Sequence, residues 1–127
     1  MQEKHLYEYA VIRVVPKVER EEFLNVGIIL FCKKQQFIKM IYKLDDLKIQ
    51  LFSTELEAGQ LEQNLQSFEK ISKGEKTENR ISKEEPAERF RWLTAVRSAC
   101  IQTSRPHPGI TQDLEKTLQR LFEELVL

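Results

Sequence analysis

The chain has 127 residues, of which 41% are hydrophobic and 31% charged, and its 20 basic residues balance its 20 acidic ones. This size and composition predict one folded domain over residues 1–127 and argue against a disordered chain. Zero net charge argues against binding of polyanions by bulk charge, and no apolar run reaches the roughly 18 residues that a membrane-spanning helix needs. No apolar leader follows Met1, so we expect a cytoplasmic protein with no membrane attachment.

Three strands are predicted near the start of the chain. Residues 7–15 are rich in aromatic and β-branched side chains and end at Pro16, and their alternation places Arg13 on a face with apolar neighbours. Residues 25–32 are almost wholly apolar, which favours a central strand, and Gly27 within them indicates a bulge or a close approach by another backbone. Residues 37–43 carry alternating lysines that are typical of an edge strand.

The remaining segments are mainly helical in pattern. A short helix is predicted at 45–52 and a longer one from Thr54, where Thr54 and Glu57 have the spacing of a capping box, to a C-cap at Gly74. The charged segment 75–85 is expected to be a mobile loop.

A short helix begins at Pro86 and runs to about residue 93. Residues 99–104 can form a fourth strand, which the Pro-His-Pro-Gly run at 106–109 breaks, and Thr111 is expected to cap a final amphipathic helix. The whole pattern predicts an α+β fold, in which a small, mostly antiparallel sheet of three or four strands packs against two longer helices.

The most unusual segment is 86–111, which holds four arginines and one acidic residue. Arginine forks suit carboxylate or phosphate, so the segment predicts an anion-binding or acidic-partner surface; solvated arginines around a core Trp92 are the other interpretation. Arg89 and Trp92 lie three apart on the predicted helix and could also stack on each other. The candidate binding residues are Arg13, Asn25, Arg89, Arg91, Trp92, Arg97, Gln102, Arg105 and His107.

Arg13 has two interpretations of its own: a cation for a ligand or interface, or the partner of a carboxylate such as Glu22. His107 could act as a base for Ser98 or Cys100, or it could be a simple loop histidine beside a core thiol. No catalytic residue is predicted on this basis. The two histidines and two cysteines lack the paired spacing of a zinc site, so neither a metal nor a cofactor is predicted.

Several motifs occur in a recognisable order. They are Tyr-Ala-Val-Ile-Arg-Val-Val-Pro at 9–16, Glu-Phe at 22–23, Asn-Val-Gly at 25–27, and the 89–109 block with Arg-Trp-Leu-Thr-Ala, Arg-Ser and Gln-Thr-Ser. In these motifs the chain resembles the bacterial domain of unknown function 3037 over nearly its whole length. The resemblance implies no reaction, but it implies an accessory role beside a HipA-like serine/threonine kinase, because members look to be encoded next to such kinases.

The resulting hypothesis is a non-enzymatic accessory or protein-interaction module that partners a HipA-like kinase. The first alternative is a nucleic-acid or phosphate-binding domain that uses the arginine-rich block at 89–109, and the second is a small hydrolase or transferase that uses Ser98 or Cys100 with His107. Nucleic-acid binding should weaken steeply with salt, whereas a protein interface with an apolar centre should not. Nothing in the sequence indicates an oligomeric state.

Overall fold

The computed structural model describes residues 3–15, 23–45, 58–75, 80–95 and 101–127. Five strands are present in these ranges: β1 (His5–Val14), β2 (Leu24–Cys32), β3 (Phe37–Tyr42), β4 (Ile101–Thr103) and β5 (His107–Thr111). The α-helices are α1 (Ala58–Lys73), α2 (Pro86–Leu93) and α3 (Leu114–Leu125), with a 3-10 helix at Arg80–Lys83. The α+β prediction is confirmed, with five strands in place of three or four.

The strands form one antiparallel sheet in the order β3-β2-β1, and β4 and β5 share the outer side of β1. Strand β2 therefore lies between two neighbours and β3 lies at an edge, as the apolar run and the alternating lysines predicted. β4 pairs with the last part of β1, and β5 pairs with its first part. Strand β1 is thus the element that joins the whole sheet.

Strand β5 was not predicted, because a Pro-x-Pro-Gly run normally interrupts a sheet. Here the run pairs antiparallel with β1 at a sheet edge, where Pro108 lies opposite Glu8 and a missing N–H can be tolerated. Gly109 lies opposite Tyr7, and any side chain at Gly109 would overlap the Tyr7 ring. The glycine therefore provides the space in which the aromatic ring covers the strand.

Helices cover both faces of the sheet. On one face, α1 and α2 enclose a core in which Phe31 and Phe90 stack with ring centroids 5.1 Å apart. On the other face, α3 buries Leu114, Leu118, Leu121 and Phe122 against β1 and β2. The sheet therefore presents alternate residues of each strand to two separate cores.

The helix ends follow ordinary capping chemistry. Gly74 has a φ of 73°, and the bonds Gly74 N–H to Ile71 O and Glu75 N–H to Lys70 O end α1 in the predicted Gly C-cap. Pro86 begins α2 as predicted. The cap of α3 is Asp113, not Thr111: the Asp113 carboxylate accepts from Lys116 N–H at 3.0 Å, because the chain is still extended at the threonine.

Some predicted features fall outside the described ranges. These are most of the short helix at 45–52, the capping box at Thr54 and Glu57, and part of the loop at 75–85. Within that last segment, residues 80–83 form the 3-10 helix and Ser82 is buried. In the described part of the chain, no helix combines the length and the apolarity that crossing a membrane would require.

Candidate interaction site

A row of three polar residues crosses the sheet near the C-terminal end of β1. Arg13 on β1 pairs with Asn25 on β2 and with Gln102 on β4. Directly opposed residues of neighbouring strands project to the same face, so the three side chains lie side by side. We call these residues the Arg13 row. All three were among the candidate binding residues, and each is partly buried.

A β-bulge creates this row. The pairing changes from Ile12 opposite Gly27 to Arg13 opposite Asn25, which leaves Val26 as an extra residue on β2. Without that extra residue, Arg13 would face an apolar side chain. Gly27 also permits the close approach of β3, because a Cβ there would lie 2.6 Å from Ile41 O. Both features that Gly27 indicated, a bulge and a close approach by another backbone, are therefore confirmed.

The Arg13 row lies just beyond the C-terminal end of α3. Asn25 Nδ2 donates to the Leu125 carbonyl oxygen at 3.1 Å, which satisfies one of the carbonyls that a helix end leaves open. Arg13 carries its guanidinium 4.1 Å from the centre of the Phe23 ring, in cation–π geometry. The row is thus held between a helix end and an aromatic ring.

Two atoms of this row are buried without a hydrogen-bond partner. They are Arg13 Nε, a donor, and Asn25 Oδ1, an acceptor. Leaving a buried polar group unpaired costs about 1–3 kcal/mol, so such atoms are few in folded proteins and ask for an explanation. Glu22, the carboxylate considered as a partner for Arg13, lies outside the described residues.

Exposed apolar side chains surround the same position. Phe23 is 46% exposed, Leu125 37% and Leu127 63%. Phe23 contacts Arg13, and Leu125 contacts Asn25 through its carbonyl. Three of the six large hydrophobic residues that are exposed in the described ranges therefore gather at this end of the sheet, whereas Leu6 and Ile110 form a separate pair at the far end of β1.

A small pocket opens beside Asn25, and we call it the Asn25 pocket. Its volume is about 170 Å³, and its lining residues are Leu24, Asn25, Val26, Lys43, Asp45, Val126 and Leu127. Four of these seven side chains are aliphatic. The lining of the pocket is therefore mixed, with aliphatic residues, Asn25 and two residues of opposite charge.

The arginines of the 89–109 block do not all reach the surface. Arg89 is partly buried, with its Nε unpaired and its guanidinium packed against Gly74 at the C-terminal end of α1, where a cation complements the helix dipole. Arg91, Trp92 and Arg105 are exposed. Arg97 lies outside the described residues. The Arg13 row brings only Gln102 of this block together with Arg13 and Asn25.

His107 lies on β5 opposite Tyr9, and the two rings are 5.2 Å apart. The imidazole is exposed and belongs to a strand, not to a loop. Ser98 and Cys100, the nucleophiles considered with it, lie outside the described residues, so that pairing stays a prediction. Among the described residues, no group of three His, Cys, Asp or Glu is placed to hold a metal ion.

The sequence did not single out Phe23 or Lys43 as site residues. Phe23 follows the charged residues at 19–22 and directly precedes β2, and no periodic pattern of the sequence includes it. Lys43 was interpreted only as part of an edge strand. Its position beside Asn25 depends on the register of β3 against β2, which sequence spacing does not specify.

Comparison with known proteins gives one match. The model of a family described as Protein of unknown function (DUF3037) matches residues 9–126, which is nearly the whole chain, and confirms the resemblance drawn from the sequence motifs. Neither a curated protein nor a solved structure matches the chain significantly.

Proposed function

Because the chain belongs to the DUF3037 family, whose description assigns no function, we propose its role from the site: a non-enzymatic protein-interaction module that contacts its partner through the Arg13 row and the apolar residues around it. The partner that the family resemblance implies is a HipA-like serine/threonine kinase. The observation that carries the proposal is the gathering of Phe23, Leu125 and Leu127 around two buried polar atoms that lack partners.

This arrangement has the character of an interface centre. Interfaces concentrate aromatic and arginine residues in a patch that loses water on binding, and a few such residues supply most of the affinity. Here Phe23 and Arg13 are already stacked, so a partner meets a largely preorganised surface. Covering Phe23, Leu125 and Leu127 would contribute roughly 25 cal/mol for each Å² of apolar surface removed from water.

The β3 and β5 edges of the sheet disfavour strand addition. At the β5 edge, Pro108 has no N–H to offer an incoming strand, and at the β3 edge Lys39 is exposed and pairs with Glu115 at 3.0 Å. Edges of this kind resist pairing with another chain. A partner is therefore more easily accommodated at the Arg13 row than along β3 or β5.

The proposal is tested by binding of the purified domain to the purified HipA-like kinase, measured by titration calorimetry. Phe23→Ser removes an exposed ring and should weaken binding at least tenfold, since loss of a central aromatic residue typically costs about 2 kcal/mol or more. Leu6→Ser is the matched control, because Leu6 is 65% exposed but lies seven residues away from Arg13 on β1, about 23 Å along the strand.

Two results would contradict the proposal. Absence of binding by the wild-type domain would remove the kinase as partner, and equal binding by Phe23→Ser and Leu6→Ser would remove the Arg13 row as the surface. Loss of binding on nuclease treatment of the mixture would favour the nucleic-acid alternative, in which Arg91 and Arg105 are the exposed cations.

A further inference from the structure

We propose that the Asn25 pocket receives one aliphatic side chain of the partner protein, whose main-chain N–H donates to Asn25 Oδ1 and whose neighbouring acidic residue pairs with Lys43. This inference rests on the proposed function, since it names what the partner inserts at the same surface. Three features of the pocket carry it: its size, its unpaired acceptor and its exposed charge.

The size of the pocket suits one side chain. Its volume of about 170 Å³ is the share of five or six liquid water molecules at about 30 Å³ each. Cofactor and drug-sized sites usually enclose about 300–1,000 Å³, so the pocket is too small for such a ligand. Its aliphatic surface comes mainly from Val126 and Leu127, because Leu24 and Val26 pack into the core on the other face of the sheet. This surface offers water few hydrogen bonds and favours an aliphatic group in its place.

The unpaired acceptor, Asn25 Oδ1, would be satisfied by an N–H donor. Asn25 uses its amide nitrogen on the Leu125 carbonyl, while its Oδ1 is buried and has no partner. Because this oxygen has almost no contact with solvent, a donor reaches it only when neighbouring side chains move. A residue in an extended partner segment brings its own main-chain N–H beside its side chain. Leu127 is 63% exposed, so it can turn outward at little cost in buried surface and open the way.

The charges at the pocket favour an acidic neighbour. Lys43 is exposed, whereas Asp45 is half-buried and already takes part in another interaction. The pocket holds one charge of each sign, but the more exposed one is the Lys43 ammonium, and Arg13 lies on the strand next to Asn25. A carboxylate beside the aliphatic residue complements both.

The test uses the full domain and capped dipeptides as probes, followed by amide chemical shifts. Acetyl-Leu-Glu-amide should shift the amide signals of Leu24, Asn25, Val26 and Lys43 with a Kd near 1 mM, a reasonable affinity for a probe of this size. Three control peptides each lack one of the recognised groups. Acetyl-Ser-Glu-amide lacks the aliphatic side chain, acetyl-Leu-Gln-amide lacks the carboxylate, and the peptide with N-methylated leucine lacks the main-chain N–H. Each should bind at least about fivefold more weakly, a loss of about 1 kcal/mol.

Variants complete the test. Leu127→Asp should abolish the peptide shifts and weaken the kinase complex at least tenfold, while Leu6→Asp, an equally exposed position at the far end of β1, should change neither. Lys43→Glu should weaken the acidic peptide but not its glutamine analogue, with Lys34→Glu in the β2–β3 turn as control.

The outcomes separate this inference from the function itself. Absence of peptide shifts up to about 10 mM, or shifts that do not depend on leucine, would overturn the pocket proposal. A kinase complex that tolerates Leu127→Asp but not Phe23→Ser would also overturn it, and would leave the interaction surface standing. A wild-type domain that binds the peptide but no kinase would support the pocket and overturn the kinase as partner.

Discussion

Ser104 lies in the connection between β4 and β5 and continues the hydrogen bonding to β1 where neither strand pairs with it. Its Oγ accepts from Val11 N–H at 2.8 Å, and its own N–H donates to Val11 O at 2.8 Å. The serine side chain thus completes the pairing of β1 at the point where the backbone of the outer strand turns away. Because the bond is buried, no water can take its place.

We predict that Ser104→Ala lowers the free energy of unfolding by about 1–3 kcal/mol, since the buried Val11 N–H then lacks an acceptor. Urea unfolding followed by circular dichroism measures the change. Ser67→Ala, at an exposed position of α1, is the matched control and should stay within about 0.5 kcal/mol of wild type. Equal effects of the two changes would contradict the role given to Ser104.

Tyr42 makes the stability of the fold depend on pH in the alkaline range. Burial, with the hydrogen bond to Glu62 at 3.0 Å and the charge of that carboxylate, raises the pKa of Tyr42 to about 12 from an ordinary value near 10. The folded state therefore favours the neutral phenol. The neutral Tyr42 phenol contributes fully to the free energy of unfolding below pH 10, and this contribution is lost as the pH rises through about 12.

We predict that the difference in unfolding free energy between wild type and Tyr42→Phe shrinks between pH 10 and about 12. Comparing the two proteins cancels the titration of the lysines, which both share. Denaturant unfolding at several pH values across this range measures the difference. A difference that stays constant with pH would mean that Tyr42 is not stabilised in its neutral form.

At the scale of elements, the bulge in β2 decides what the sheet presents beside α3. Gly27 makes the bulge compatible with β3, because a Cβ at this position would lie 2.6 Å from Ile41 O and 2.9 Å from Tyr42 Cβ. The first of these atoms belongs to the backbone and the second is the Cβ that joins a side chain to it, so neither can rotate away. The close approach therefore constrains both strands.

We predict that Gly27→Ala destabilises the domain by about 1–3 kcal/mol, through overpacking between β2 and β3. Hydrogen exchange offers a local measurement, because Lys43 N–H donates to Val26 O at 2.8 Å next to the bulge and should exchange faster in the variant. Gln35→Ala, in the exposed turn of the same hairpin, should alter neither quantity. Unchanged exchange at Lys43 would contradict the link between Gly27 and the bulge.

A comparison of the predicted and observed strands and helices shows which elements the sequence alone could predict. Sequence pattern predicted several of these elements: alternation predicted β1 and β3, a continuous apolar run predicted β2, and apolar stripes predicted α1 and α3. Each pattern follows directly from burial on one or both faces of a strand or on one face of a helix. Sequence pattern failed at β5, where the strand depends on Tyr7 covering Gly109 from a distant part of the chain. The Arg13 row was found residue by residue, but its assembly depends on a bulge that shifts Asn25 opposite Arg13, and strand register is a tertiary property.

At the scale of the whole molecule, the described arginines of the 89–109 block do not lie on one face. The chain is neutral overall, and Arg89 of the arginine block is packed against Gly74. Arg91 belongs to α2, on the face of the sheet opposite α3, whereas Arg105 lies in the connection between β4 and β5. This distribution favours a compact apolar interface over a strip that follows a phosphate backbone.

We predict that the kinase complex loses less than about tenfold in affinity between 50 and 200 mM salt, whereas a domain with six to ten phosphate contacts would lose about 10³–10⁵ on nucleic acid. The double variant Arg91→Gln and Arg105→Gln should leave the kinase affinity unchanged, because neither residue belongs to the Arg13 row. Calorimetry with the kinase and fluorescence anisotropy with a labelled oligonucleotide measure the two affinities under the same conditions. A steep salt dependence that disappears in the double variant would transfer the binding role from the Arg13 row to the arginine block.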